Sequence, residues 1–166
     1  MLLYRGSNVI VEEPRLIEQT RGLDFGAGFY LTTNEPQAAR FSEIVTKRRK
    51  GGTAVVSVYE YDMEAAEKML SIRTFQSADI QWLRFVIENR LLSYTGPLYD
   101  IVIGAVANDQ VMPTIQALLG GFLNEEAAVL TLMTSNLVDQ ICLKSNEAFS
   151  YLKYTKSYVL GDSIEG

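Results

Sequence analysis

The feature that most constrains the fold is an irregular alternation of short apolar runs with helix-like stretches. Residues 53–61 carry the clearest strand pattern, with Ala54, Val55, Val56, Ser57, Val58 and Tyr59 in succession. Phe29, Tyr30, Leu31 and Thr32 form a second β-like run, and residues 2–4 a third that stops at Gly6-Ser7-Asn8. Val9-Ile10-Val11 predicts a further short extended piece, residues 70–73 an edge strand and residues 140–144 a late strand. Residues 99–106 read as a near-continuous apolar strand led by Ile101, Val102 and Ile103. Between these lie helices. Asn34 caps one that runs to about Arg48, with Ala38, Ala39, Phe41, Ile44 and Val45 on one face. Residues 63–69 predict a short helix, and Ser77 caps a strong one over 78–90. Residues 111–119 and 124–133 predict two helices separated by Gly120-Gly121. Residues 16–22 read as a mixed turn or short helix, and Ser145 opens a last helix through Leu152. With no regular βαβ rhythm, the order predicts an α+β fold in one domain spanning residues 1–166.

The chemistry open to the chain is narrowed by its composition. Its 166 residues include no histidine and one cysteine, Cys142. The missing histidine removes Ser-His-Asp triads, Cys-His pairs, imidazole acid–base catalysis and His-ligated zinc. Cys142, between Ile141 and Leu143, reads as a small core residue, and no intramolecular disulfide can form. Carboxylates alone could hold a hard cation, but no calcium-loop spacing occurs, so no metal is expected. The net charge of −5 argues against a broad nucleic-acid surface. One basic run, Lys47-Arg48-Arg49-Lys50, reads as a solvated loop after a helix, with a local phosphate or partner contact as the alternative. The opening Met1-Leu2-Leu3-Tyr4-Arg5-Gly6 lacks the pattern of a signal peptide. No apolar run reaches the roughly 20 residues a bilayer span needs. These features predict a soluble, cytoplasmic protein with no membrane partner.

Familiar motifs fail on context. Gly26-Ala27-Gly28 is a Gly-x-Gly, but it leads into a strand, whereas a dinucleotide fingerprint opens a helix. No Walker lysine pattern and no nucleophile elbow is present. Three pieces remain: Tyr4-Arg5-Gly6-Ser7 at the end of a strand, Gly28-Phe29-Tyr30-Leu31-Thr32, and Asp139-Gln140 opening the late strand. Taken singly, Arg5 is an ordinary surface charge, Tyr30 a half-buried sheet residue and Gln140 a strand-opening polar residue. Their order gives them weight.

These pieces resemble the ADP-ribosyltransferase superfamily, in its diphtheria-toxin and poly(ADP-ribose)-polymerase branch. That branch has a first motif like Tyr-His-Gly-Thr/Ser, a second like Gly-Phe-Tyr-x-Thr, and a late strand opened by Glu. The following Ala38-Ala39-Arg40-Phe41-Ser42 helix and the residue 52–58 strand fall in the same order. Leu23-Asp24-Phe25-Gly26 through Tyr30, Tyr99-Asp100-Ile101-Val102-Ile103-Gly104 and Val106-Ala107-Asn108-Asp109 resemble a family of small uncharacterised bacterial proteins placed in that superfamily. Two departures stand out. Arg5 occupies the place of the first-motif His, as Arg does in the cholera-toxin branch, and Gln140 occupies the place of the Glu.

The resemblance implies a split β-sheet core with peripheral helices and NAD as substrate. Transfer of ADP-ribose releases a neutral nicotinamide from an oxocarbenium-like sugar, which calls for positioning and electrostatic support rather than a strong base. The resemblance assigns Arg5 to the adenosine-side ribose or the diphosphate, Gly6 to close approach of the nicotinamide amide, and Ser7 to a hydroxyl contact. It assigns Tyr30 to stacking on the nicotinamide. Gln140 would hydrogen-bond the nicotinamide ribose and align the acceptor. Asp24, Phe25, Gly28, Phe29 and Thr32 would line the NAD pocket. Asp139 is a fallback carboxylate. Asn108 and Asp109 read as a helix cap or as an acceptor-side polar pair. With Gln in place of Glu, mono-ADP-ribosylation of a macromolecular acceptor, a protein first, is the expected activity. By analogy, a free-standing domain of this kind suits a bacterial toxin–antitoxin system, with an antitoxin protein as partner. Two alternatives stay open: an inactive domain that binds NAD, ADP-ribose or a protein, and an NAD glycohydrolase with water as acceptor.

Overall fold

The computed structural model describes residues 1–16, 22–107, 110–132 and 139–161. It has a mixed α/β architecture, with a seven-stranded open sheet and six helices among those residues. The strands are β1 (Leu2–Ser7), β2 (Phe29–Thr32), β3 (Val55–Tyr61), β4 (Ile72–Thr74), β5 (Ile101–Ala105), β6 (Asp139–Leu143) and β7 (Leu152–Val159). Their order across the sheet is β4-β5-β6-β2-β1-β3-β7, antiparallel throughout except for the parallel β4–β5 pair. The helices are α1 (Glu35–Arg49), α2 (Met63–Met69), α3 (Ile80–Arg90), α4 (Val111–Leu119), α5 (Glu125–Leu132) and α6 (Asn146–Phe149). None is long and apolar enough to cross a membrane.

Period-two alternation divides the core between the two faces of the sheet. Val102, Cys142 and Tyr30 are aligned across β5, β6 and β2 and share one face. Trp82 and Val86 of α3, with Ile115 of α4 and Leu132 of α5, cover that face. One residue along, Ile101, Leu143 and Phe29 are aligned on the other face, in a core with Leu3, Tyr59 and Tyr61. Cys142 is fully buried in the first core, as its apolar neighbours suggest.

Helix α1 packs on β1 and β3 beside Val56 and Val58. Asn34 caps it by accepting from the Gln37 amide at 2.9 Å. Glu35 in its first turn and Lys47, Arg48 and Arg49 in its last complement the helix dipole. Lys50 ends it in the left-handed region, φ 53°. The basic run is thus exposed helix end rather than loop, and Arg49 reaches Asn8 at 3.3 Å. The buried stripe is Ala38, Ser42 and Val45. Phe41 and Ile44, expected on that face, are 45% and 50% exposed. The helix sits in this rotation because its backbone lies against Gly6: a Cβ there would come 2.0 Å from the Ala38 carbonyl oxygen.

Other expectations shift. The first strand runs on through Gly6 and Ser7, carried by six register pairs with β3, rather than stopping before them. Val9, Ile10 and Val11 form no strand, because Asn8 turns the chain to the 51–53 loop instead. α3 begins at Ile80 with Asp79, not Ser77, accepting from the Trp82 amide at 2.9 Å. The short edge strand is Ile72–Thr74. Ser145 does cap a helix, but α6 ends at Phe149 and the chain turns into β7. Most of residues 16–22 lie outside the described residues.

The approach at Gly6 sets an expected outcome. Gly6→Ala destabilises the fold by about 3 kcal/mol, since the obstacle is backbone. Ile44→Ser stays within about 0.5 kcal/mol of the native chain. Urea unfolding of the two variants checks the contrast.

Candidate functional site

Each of the three motif segments falls on one of three adjacent strands, β1, β2 and β6. β1 is laddered to β3 along its whole length but meets β2 at a single register pair, Tyr4↔Thr32. Arg5, the next residue, bridges the seam with its side chain: Nη1 donates to the Tyr30 carbonyl at 3.0 Å. Its guanidinium carbon sits 4.2 Å from the centre of the Phe29 ring. Nε is buried and has no partner. Burial lowers the Arg5 pKa from its ordinary value, though a guanidinium stays charged in water-based buffers. A half-buried cation with one neutral acceptor and one ring is poorly compensated, and an anion is the group that would complete it.

On β2, Tyr30 holds the preceding glycine loop. Its hydroxyl accepts from the Phe25 amide at 3.0 Å and donates to the Gly26 carbonyl. Burial pushes its pKa well above the ordinary phenol value, so it stays protonated. Its half-buried ring stacks against Phe25, with centroids 6.4 Å apart. The loop itself turns at Gly26, φ 79°, where the amide returns to the Leu23 carbonyl at 3.1 Å. Lys144, just after β6, straps the same loop by donating to the Phe25 and Ala27 carbonyls, the latter at 2.7 Å. Gly28 packs against Cys142 of β6. Thr32 Oγ1 donates to the Asp139 carbonyl at 2.9 Å and accepts from the Asn34 amide at 3.0 Å. It thereby fixes the end of β2 to both β6 and the α1 cap. Ser7 closes β1, buried opposite Val55.

The third element is a polar network. Asp24 is buried, its side chain 7% exposed, and its Oδ1 accepts from Arg90 Nε and Nη2, both at 2.7 Å. Its Oδ2 accepts from Gln140 Nε2 at 3.2 Å, and the same nitrogen lies 3.4 Å from the Ala105 carbonyl. Arg90 and Lys144 are the participants that sequence reasoning missed. Arg90 reads as one more polar residue at the end of a helix, and 66 residues separate it from Asp24.

The structure therefore gathers Arg5, Tyr30, Gln140 and the 24–28 loop around β2, but on two sides of it. Tyr30, Thr32 and Gln140 share one face through the pairs Thr32↔Gln140 and Tyr30↔Cys142. Arg5 lies on the Phe29 side, and of the others it hydrogen-bonds only to the Tyr30 backbone carbonyl, across the seam. Asp139 is exposed at the start of β6. Asn108 and Asp109 lie outside the described residues. Shallow depressions lie elsewhere, beside α2 and α6, between Met69, Asn146 and Tyr151. Among the described residues no three His, Cys, Asp or Glu side chains gather as a metal site.

Comparison with curated proteins and with solved structures gave no match. A family model described as a protein of unknown function, DUF3990, matches residues 1–154. The chain, over nearly its whole length, belongs to the DUF3990 family.

Proposed function

We propose that this domain is a mono-ADP-ribosyltransferase that consumes NAD and modifies a macromolecular acceptor, with protein the first candidate. The observation that carries the reading is Arg5, a half-buried guanidinium whose Nε is buried and unpartnered at the barely laddered β1–β2 seam. Beside it stand the two other segments that resemble ADP-ribosyltransferase motifs, Gly28 to Thr32 on β2 and Gln140 on β6. A dinucleotide diphosphate supplies the anion such a cation lacks.

In the reaction, the bond from ribose C1′ to the nicotinamide nitrogen breaks and its electron pair leaves with the neutral ring. The acceptor's nucleophile bonds C1′ and gives its proton to solvent. Arg5 holds the diphosphate, and the half-buried ring of Tyr30 faces the nicotinamide. Gln140 takes a ribose hydroxyl. The Tyr30 hydroxyl is occupied by Phe25 and Gly26, so its part is positioning rather than proton transfer. Gln140 carries no charge to support the developing cation, which favours single transfer over chain growth. A bacterial toxin controlled by an antitoxin protein is the setting that suits such a domain.

A second reading has its own support: Arg5, Tyr30 and Gln140 all have protein partners already, as in a domain that binds NAD or ADP-ribose without turning it over. Incubation with labelled NAD and cell lysate separates the possibilities. Label on macromolecules with nicotinamide release is the expected result. Release without label makes the domain a glycohydrolase, binding without release makes it a binding module, and absence of binding overturns the proposal. Arg5→Ala removes charge-assisted hydrogen bonds of about 1.5–3 kcal/mol and weakens NAD binding roughly 10- to 100-fold by calorimetry. Arg5→Lys, which keeps the charge but loses the fork, falls between the two.

A further inference from the structure

We infer that Asp24 is a positioning residue that fixes the Gln140 carboxamide with its oxygen outward, and that this arrangement requires a neutral side chain at 140. The inference rests on the reading of this site as one that handles NAD.

The orientation of Gln140 follows from what surrounds it. Nε2 lies 3.2 Å from Asp24 Oδ2 and 3.4 Å from the Ala105 carbonyl oxygen. Both neighbours accept hydrogen bonds and neither donates, so the NH2 end of the amide must face them. Oε1 then points the other way, and among the described residues it accepts no hydrogen bond. Asp24 cannot turn aside, because Arg90 grips its other oxygen with two donors at 2.7 Å. The site thus presents an acceptor from Gln140, with a fixed carboxylate directly behind it. A carboxylate at 140 would meet that of Asp24 and the Ala105 carbonyl at hydrogen-bonding range, where two like charges cannot both persist.

The other groups around position 140 do not relieve this. Arg90 is committed to Asp24 Oδ1. Tyr30 and Cys142, on the same face, are neutral, with burial pushing the thiol up to about 12. Lys144 is turned to the loop carbonyls, and Asp139, exposed before it, adds negative charge.

A double-mutant cycle tests the inference. In Gln140→Glu, the new carboxyl faces Asp24, so its folded pKa lies above the unfolded value of about 4.3. The folded state then binds the extra proton, and stability present below about pH 4.3 is lost as pH rises through the folded pKa. The thermal midpoint of Gln140→Glu, relative to the native chain, is therefore expected to fall with rising pH. In Asp24→Asn/Gln140→Glu, compared with Asp24→Asn alone, the Asn amide donates to the new carboxylate, and the fall disappears. In NAD turnover, Gln140→Glu alone loses at least tenfold in kcat and the double variant recovers it. Asp24→Asn alone turns the Gln140 amide round, presents a donor, and also loses kcat. A Gln140→Glu chain with a flat pH–stability difference, or with more activity than the native chain, overturns the inference. If no variant or native chain acts on NAD, the proposed function fails, while the pH–stability cycle still decides the Asp24–Gln140 pairing.

Discussion

A buried carboxylate ties together segments that the chain keeps far apart. Asp24 joins the glycine loop to the end of α3 through Arg90 and to the start of β6 through Gln140. Removing one partner from such a pair leaves an uncompensated charge in the interior, at a cost of about 3–5 kcal/mol. The loop has few other holds: Tyr30 and Lys144 clasp its backbone, and Phe25 is driven into the core between Phe75 and Phe85. Because all of these restraints meet within a few residues, the geometry of the loop and that of Gln140 are set jointly.

Arg5 gives the same neighbourhood an opposite character. Asp24 has three donors, whereas Arg5 has one carbonyl and a ring. Two charges of opposite sign, one satisfied and one not, therefore flank β2. The satisfied one acts as scaffold. The other retains unused hydrogen-bonding capacity, and that difference, more than the identity of either residue, marks where a charged ligand would gain most.

Local patterns were legible where the deciding contacts are local. The Asn34 cap, the aromatic and β-branched run at 29–32 and the apolar strand at 55–61 each follow from neighbouring residues. β7 was not legible: Leu152 to Val159 mixes lysines, tyrosines, Thr155 and Ser157 on a half-exposed rim, and its strand character comes from pairing with β3. The rotation of α1 was hidden as well, because it depends on the missing Cβ at Gly6 rather than on apolar periodicity. At the site, the Arg5, Tyr30 and Gln140 segments lie on the adjacent strands β1, β2 and β6, an adjacency set by long-range pairing. The side of the sheet that each side chain takes, and the partners Arg90 and Lys144, needed the tertiary structure, since their contacts span 66 and more than 100 residues.

The rim strand has a consequence of its own. β7 carries outward Lys153 and Lys156, and its ladder slips beside Val58 and Tyr59. Lysines and an irregular register both discourage a foreign strand from adding there. The opposite rim is β4, three residues long. The sheet is thus guarded against growth at both borders, while its loosest backbone seam lies in the interior between β1 and β2. A strand added to this sheet meets resistance at its margins, whereas the seam that Arg5 bridges is held by one register pair and one side-chain hydrogen bond.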